Sequence, residues 1–133
     1  MRVRLVFVTL AMLIGFGGAA RADIYAAGPA YGANPTGGVA TCRVINVGTS
    51  TVSVTVRQII TNTNVVLALN SDTCNVAVLA GRNCAFTAPV GGNFALSCRL
   101  FVSGNDPQIS GTLDVQNPFG TVRVVVPMQN TNN

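Results

Sequence analysis

Histidine, lysine, glutamate and tryptophan are all absent from the 133-residue sequence. Its eight basic residues are all arginine, and its four acidic residues are all aspartate. Enzymes need side chains that exchange protons or hold a metal near neutral pH, and the missing residue types supply most of that chemistry. A Ser-His-Asp triad, a histidine-ligated zinc or copper site and a Schiff-base lysine are excluded. The composition therefore predicts that the protein is not an enzyme and carries no cofactor.

Aspartate is the acid that remains for any carboxylate chemistry. Asp72 and Asp106 lie in turn-like segments, where aspartate is common because its side chain hydrogen-bonds the nearby backbone. A weak calcium site at Asn70 and Asp72, or at Asn105 and Asp106, is the alternative, because oxygen ligands are plentiful there although charge is sparse. We prefer turn chemistry to a calcium site. We also prefer it to a catalytic pair of aspartates drawn from Asp72, Asp106 and Asp114. We assign no catalytic residue and no metal ligand.

Residues 1–22 have the three-part pattern of a secretory signal peptide. A short basic head precedes an apolar run over residues 5–19, and small residues end it in an A-x-A arrangement. We expect cleavage between Ala22 and Asp23. An uncleaved membrane anchor is the alternative, but it needs about 20 apolar residues. The sequence thus predicts export to the periplasm or the extracellular space, with no transmembrane segment after cleavage.

The charge that remains after cleavage is small. Five arginines face four aspartates, a net charge of +1. Nucleic-acid binding needs a basic patch or stripe, and five scattered arginines do not form one. We therefore expect no nucleic-acid partner, and a protein or glycan partner outside the cytoplasm.

Short stretches of alternating apolar residues, separated by turn residues, fill the chain from position 39 onward. The predicted strands cover residues 39–47, 52–60, 65–69, 76–79, 84–88, 94–102, 109–115 and 121–126. No window has sustained helical periodicity. The spacing predicts an all-β sandwich of two sheets with about seven to eight strands over residues 39–127.

The segments that flank this domain have a different composition. Residues 23–38 are rich in alanine, glycine and proline, which disfavours helix and sheet alike and predicts an extended arm or loop. Tyr25 and Tyr31 lie in it, and we expect them to pin the arm to the sandwich, with a partner contact as the alternative. Residues 128–133 are expected to form a frayed polar tail.

Four cysteines follow the signal peptide, and an even number in an exported chain predicts disulfides. A zinc site is the alternative, but no C-x-x-C pair is present. Cys42 and Cys98 both lie within strands and face inward, as a bridge between two sheets requires. Cys74 and Cys84 flank one short strand and can meet locally. The strand pattern favours the pairs Cys42–Cys98 and Cys74–Cys84.

The predicted strand over residues 94–102 places Cys98 at the centre of its inward face. Two residues, Arg99 and Phe101, point to the opposite face. An exposed arginine beside an aromatic residue is a candidate contact patch. The alternative is that Phe101 packs under a loop or under the N-terminal arm.

Two segments resemble a known class of module. One is Cys-x-Val-x-Asn-x-Gly-Thr, beginning at Cys42, and the other is Cys74-Asn-Val-Ala-Val-Leu-Ala-Gly-Arg-Asn-Cys84. Over about residues 42–115 the chain resembles immunoglobulin-like sandwiches of the ASPM–SPD-2–Hydin type and small exported bacterial proteins with cysteines at matching points. The approach to the sixth strand is shorter here, and tandem copies are absent. The resemblance implies an immunoglobulin-like fold, supports the local cysteine pair and brings no catalytic residue.

These observations predict an exported, non-catalytic binding or structural module with two disulfides. The alternative is a subunit of a surface or periplasmic assembly. In that case weakly charged strands, such as the one at residues 122–126, would join edge to edge, and Pro127 would limit uncontrolled pairing.

Overall fold

The alternating apolar residues form two antiparallel sheets in the computed structural model, which describes residues 21–31, 37–92 and 94–132. The strands are β1 (Arg21–Tyr31), β2 (Gly38–Asn46), β3 (Ser53–Thr61), β4 (Ser71–Asp72), β5 (Asn83–Val90), β6 (Ala95–Gly104), β7 (Ile109–Gln116), β8 (Val122–Pro127) and β9 (Gln129–Asn130). One sheet has the order β3-β6-β1-β9, and the other has the order β4-β5-β2-β7-β8. The described residues contain no helix, and the predicted all-β, two-sheet fold is confirmed.

Strand β6 is the centre of the core, as the alternation predicts. Its inward residues Leu96, Cys98, Leu100 and Val102 are at most 1% exposed. Phe94, which the pattern placed at the start of this strand, precedes it and is only partly buried. The period of two therefore sets correctly which side chains of β6 face the other sheet.

Both predicted disulfides are present. Cys42 of β2 and Cys98 of β6 join the two sheets, with their Cα atoms 6.1 Å apart. Cys74 and Cys84 link the segment after β4 to the start of β5 across a Cα distance of 5.0 Å. Two disulfides in a small domain indicate an oxidising environment.

The prediction of an extended arm or loop over residues 23–38 is wrong for residues 23–31, which form part of a sheet, and residues 32–36 lie outside the described residues. Residues 21–31 form β1, which pairs with β6 along its length and with β9 at Tyr25 and Ala26. The register shifts between Ala27 and Ala30, which takes the Gly28-Pro29 pair out of the regular ladder. Gly28 has φ +121°, and a Cβ there would lie 2.7 Å from the Leu96 carbonyl oxygen. Small residues allow this close approach, so a composition that disfavours strands still forms one.

The prediction of a frayed tail is also wrong, because residues Gln129–Asn130 form β9. β8 belongs to one sheet and β9 to the other, so the chain crosses between sheets at Met128. Met128 donates its backbone N–H to Gly111 at 2.8 Å, and Thr131 donates its own to Ile24 at 2.8 Å. The C-terminal segment is thus hydrogen-bonded to both sheets.

Two predicted strands are not strands in the structure. The stretch 65–69 makes one isolated bridge, between Val66 and Ile60, and the stretch 76–79 makes one, between Val78 and Val52. A short strand, β4, forms instead at Ser71–Asp72, where the sequence predicted a turn. The segment between β3 and β5 therefore bridges to Ile60 of β3 near its start and to Val52, just before β3, near its end. In its middle it pairs with β5.

Residues 1–20, which contain most of the predicted signal peptide, lie outside the described residues. In the part of the chain that is described, no helix is both long and apolar enough to cross a membrane.

Candidate functional site

The outer surface of the four-stranded sheet contains the predicted contact residues. In the register of this sheet, Arg99 lies between Gln58 of β3 and Ala26 of β1. Phe101 lies between Val56 of β3 and Ile24 of β1. We call the surface formed by Ile24, Ala26, Val56, Gln58, Arg99 and Phe101 the Arg99 face. It consists of a row with two hydrogen-bonding side chains beside an apolar row.

Arg99 is exposed and held in one orientation. Its Nε and Nη2 atoms both donate to Oε1 of Gln58, at 3.0 and 2.6 Å. Its guanidinium carbon lies 6.0 Å from the centre of the Phe101 ring, at the outer limit of a cation–π contact. No carboxylate of the described residues pairs with it. The remaining N–H groups of this guanidinium are therefore available to a partner.

Phe101 is partly buried rather than covered. Its cross-strand neighbour Ile24 comes from the segment that was predicted to be an arm, so that segment flanks the ring within the same sheet. Phe101 thus lies next to β1 in the sheet and remains partly exposed. Together with Arg99 it remains a predicted contact patch.

A second exposed surface is formed by the β7–β8 hairpin. β8 is the edge strand of its sheet and pairs with β7 only. Val122 and Val125 on this strand are 46% and 55% exposed, and Phe119 in the preceding turn is 90% exposed. Asn117 holds the turn, because its Oδ1 accepts the backbone N–H groups of Phe119 and Thr121 at 3.0 and 2.8 Å. We call Phe119, Val122 and Val125 the β8 edge.

No family model, curated protein or solved structure matches this chain. The resemblance to immunoglobulin-like modules therefore stays a prediction.

Two of the aspartates are engaged in structural ion pairs. Asp72 on β4 accepts from Arg57 Nε on β3 at 2.6 Å, and its other oxygen accepts the Cys74 backbone N–H at 2.9 Å. This pair joins the two sheets beside the local disulfide. Both carboxylate oxygens of Asp72 thus have protein partners. A structural role in the turn and in the ion pair explains why an aspartate occupies this position.

Asp114 on β7 has a similar role within one sheet. It accepts from Arg43 Nε on β2 at 2.6 Å and from the Thr112 hydroxyl at 3.1 Å. Asp106 is exposed and accepts from the Gln108 side chain at 3.3 Å. Among residues 21–31, 37–92 and 94–132, no three histidine, cysteine or acidic side chains lie together as a metal site.

Tyr25 lies in the core on β1, which pairs with β6 on one side and with β9 on the other. Its hydroxyl donates to the Pro107 carbonyl at 2.8 Å, and its side chain is buried. Burial raises the pKa of this hydroxyl above its ordinary value, and the nearby Asp23 carboxylate adds to the shift. Asp23 accepts from Asn130 at 3.2 Å and from Asn132 at 3.3 Å. These contacts tie β1 to the C-terminal segment, which is a structural role.

A shallow cavity of about 160 Å³ lies beside the local disulfide. It is lined by Arg43, Thr73, Asn83, Cys84 and Ala85. Pockets for organic ligands generally measure about 300–1,000 Å³, so this one is too small for such a ligand. We assign no site to it.

The sequence missed two residues that organise these surfaces. Phe119 falls between the predicted strands at residues 109–115 and 121–126, where a large aromatic residue among turn residues has no core to enter and signals exposure. The orientation of Arg99 by Gln58 depends on the pairing register of β3 and β6, which the strand pattern does not give.

Proposed function

We propose that the protein is an exported, non-catalytic binding or structural module that acts outside the cytoplasm. The observation that supports this best is Arg99, an exposed and oriented guanidinium with no carboxylate partner in the described part of the chain. An oriented arginine beside an aromatic ring is typical of residues that dominate binding energy. The two disulfides support export, since they persist in oxidising compartments.

This proposal predicts that capture of a partner depends on Arg99. The purified, disulfide-bonded protein is immobilised and exposed to the cell-envelope fraction of its host, and retained material is quantified. Arg99→Gln is expected to reduce retention by at least about tenfold, because a hydrogen bond to a charged group contributes roughly 1.5–3 kcal/mol. Arg82→Gln is the matched control, because Arg82 is also exposed and its replacement removes the same charge. Equal loss in both variants would contradict the proposal.

A second candidate function is a subunit that assembles by β-edge addition, and the β8 edge favours it. β8 presents valines at an unpaired sheet edge, which is a template for another strand. Pro127, the last residue of β8, has no N–H to donate and would limit the length of such pairing. The β8 edge is apolar, as the core of an interface requires, and Asn117 holds the turn that carries Phe119.

The assembly function predicts self-association that Val125→Lys abolishes. A lysine on an edge strand opposes strand addition, because pairing would bury its charge. Val65→Lys is the matched control, because Val65 is 54% exposed and Val125 is 55% exposed. Sedimentation of the oxidised protein over a range of concentrations measures the mass. The assembly function is contradicted if the wild type stays monomeric at every concentration. It is also contradicted if Val65→Lys dissociates to the same extent as Val125→Lys.

A further inference from the structure

We propose that the Arg99 face binds an acidic polysaccharide, in which carboxylates on the sugar units pair with Arg99. This inference rests on the proposed binding function and names the chemical class of its partner. Three features of the face support it, namely its charge, its position within the sheet and the distribution of its apolar groups.

The charge of the face is uncompensated. Arg99 is the only charged residue at the outward positions of β3 and β6 and at the outward positions of β1 from Ala22 to Ala26, as the pairing register places them. The other outward positions are occupied by Ser53, Val56, Gln58, Ile60, Ala95, Ser97, Phe101, Ser103, Ala22, Ile24 and Ala26. A guanidinium pairs preferentially with a carboxylate through two parallel hydrogen bonds. The partner is therefore expected to carry carboxylates.

The position of the face excludes recognition by strand addition. β6 is an internal strand, with β3 on one side and β1 on the other, so its backbone groups are already paired. A partner can contact Arg99 only through side chains that stand perpendicular to the sheet. An extended peptide would lose there the main-chain hydrogen bonds that give it affinity at a sheet edge.

The distribution of apolar groups distinguishes a polysaccharide from a folded protein. None of the large, exposed hydrophobic residues in the described chain lies on this face. The core of a protein–protein interface is apolar and well exposed before binding, whereas this surface has an apolar row that is only partly exposed. It instead sets the partly buried row of Ile24, Phe101 and Val56 beside the donors of Arg99. A sugar ring has the matching arrangement, with C–H groups on its faces and polar groups around its rim.

Affinity electrophoresis under non-denaturing conditions tests this inference. The disulfide-bonded protein is run through gels that contain polygalacturonate or its fully methyl-esterified form, which has the same backbone without free carboxylates. We expect retardation by polygalacturonate and none by the methyl ester. Arg99→Gln is expected to raise the apparent dissociation constant by at least about tenfold. Arg82→Gln removes an equal charge elsewhere and is expected to bind as the wild type does.

Three results would overturn the inference. The first is a wild type that polygalacturonate does not retard, and the second is equal retardation by the methyl ester. The third is an equal loss in Arg99→Gln and Arg82→Gln, which would show attraction to net charge alone. If polygalacturonate does not bind but envelope material is still retained through Arg99, the polysaccharide class is wrong while the binding function stands. If retention also fails, both are wrong.

Discussion

Replacing both Cys42 and Cys98 by alanine is expected to lower the free energy of unfolding by about 4 kcal/mol. This disulfide spans 56 residues and joins the central strand of one sheet to an internal strand of the other. Its removal releases a long loop in the unfolded chain and also leaves space between fully buried positions. Domains of this size have a total stability of about 5–15 kcal/mol, so the loss removes between about a quarter and four fifths of it.

Urea unfolding of the wild type and the double variant, followed by circular dichroism, measures this difference. The matched control replaces both Cys74 and Cys84 by alanine, which also removes two buried sulfurs but opens a separation of only 10 residues. A loss of about 3 kcal/mol is expected there, because the released loop is shorter. An equal or larger loss in the control would show that neither loop length nor the link between sheets determines which disulfide contributes more to stability.

The inter-sheet disulfide also shows what the sequence can predict. An inward cysteine at the centre of an alternating strand needs a partner across the core, and only Cys42 had a similar setting. The prediction of Cys42–Cys98 depended on periodicity alone, which is set by local geometry. The same periodicity predicts that Arg99 and Phe101 lie on the outward face, and this prediction does not depend on which strands pair.

β1 could not be predicted because its stability comes from its neighbours. Alanine, glycine and proline have low strand propensity, but propensity in a sheet mainly reflects packing against adjacent strands. β1 is paired with β6 along one edge and buries Tyr25, Ala27 and Ala30 in the core. A local composition rule has no access to those contacts.

The stretch 65–69 failed for the opposite reason. Leu67 and Leu69 do pack against the core, as their alternation predicts, but only Val66 forms a bridge to β3. Alternation reports which side chains are buried, and a ladder needs a partner strand as well. For the same reason the sequence does not predict the hydrogen bonds from Arg99 to Gln58. They require the pairing register of two strands, and the two residues are 41 positions apart in the chain.

The turn at the end of β2 depends on a buried amide. Asn46 is fully buried, and its Nδ2 donates to the carbonyls of Ser50 and Val78 at 2.8 and 2.9 Å. Its Oδ1 accepts the Gly48 backbone N–H at 3.0 Å. Its backbone also binds the segment before β5, through hydrogen bonds with Gly81 and Arg82. One side chain thus joins two loops at the same end of the sandwich.

Asn46→Asp is therefore expected to lower the free energy of unfolding by at least about 3 kcal/mol, although asparagine and aspartate have nearly the same size and shape. The carboxylate keeps the acceptor for Gly48 but places a second oxygen against the carbonyls of Ser50 and Val78. The Ser50 carbonyl loses the Asn46 donor, the Val78 carbonyl keeps only the backbone N–H of Val52 at 3.1 Å, and a charge is buried without a partner. Urea unfolding measures the loss, and amide hydrogen exchange should show faster opening of residues 46–50 and 78–82.

Asn117→Asp is the matched control for this experiment. Asn117 is also buried, but the hydrogen bonds of its side chain to the turn are both accepted by Oδ1, from Phe119 and Thr121. A carboxylate accepts from those N–H groups at least as well as an amide does, so a change of less than about 1 kcal/mol is expected. If both variants lose the same stability, burial of charge accounts for the effect and the donor role of Asn46 does not. If only Asn46→Asp unfolds readily, the amide N–H groups of Asn46 are what hold the two loops together.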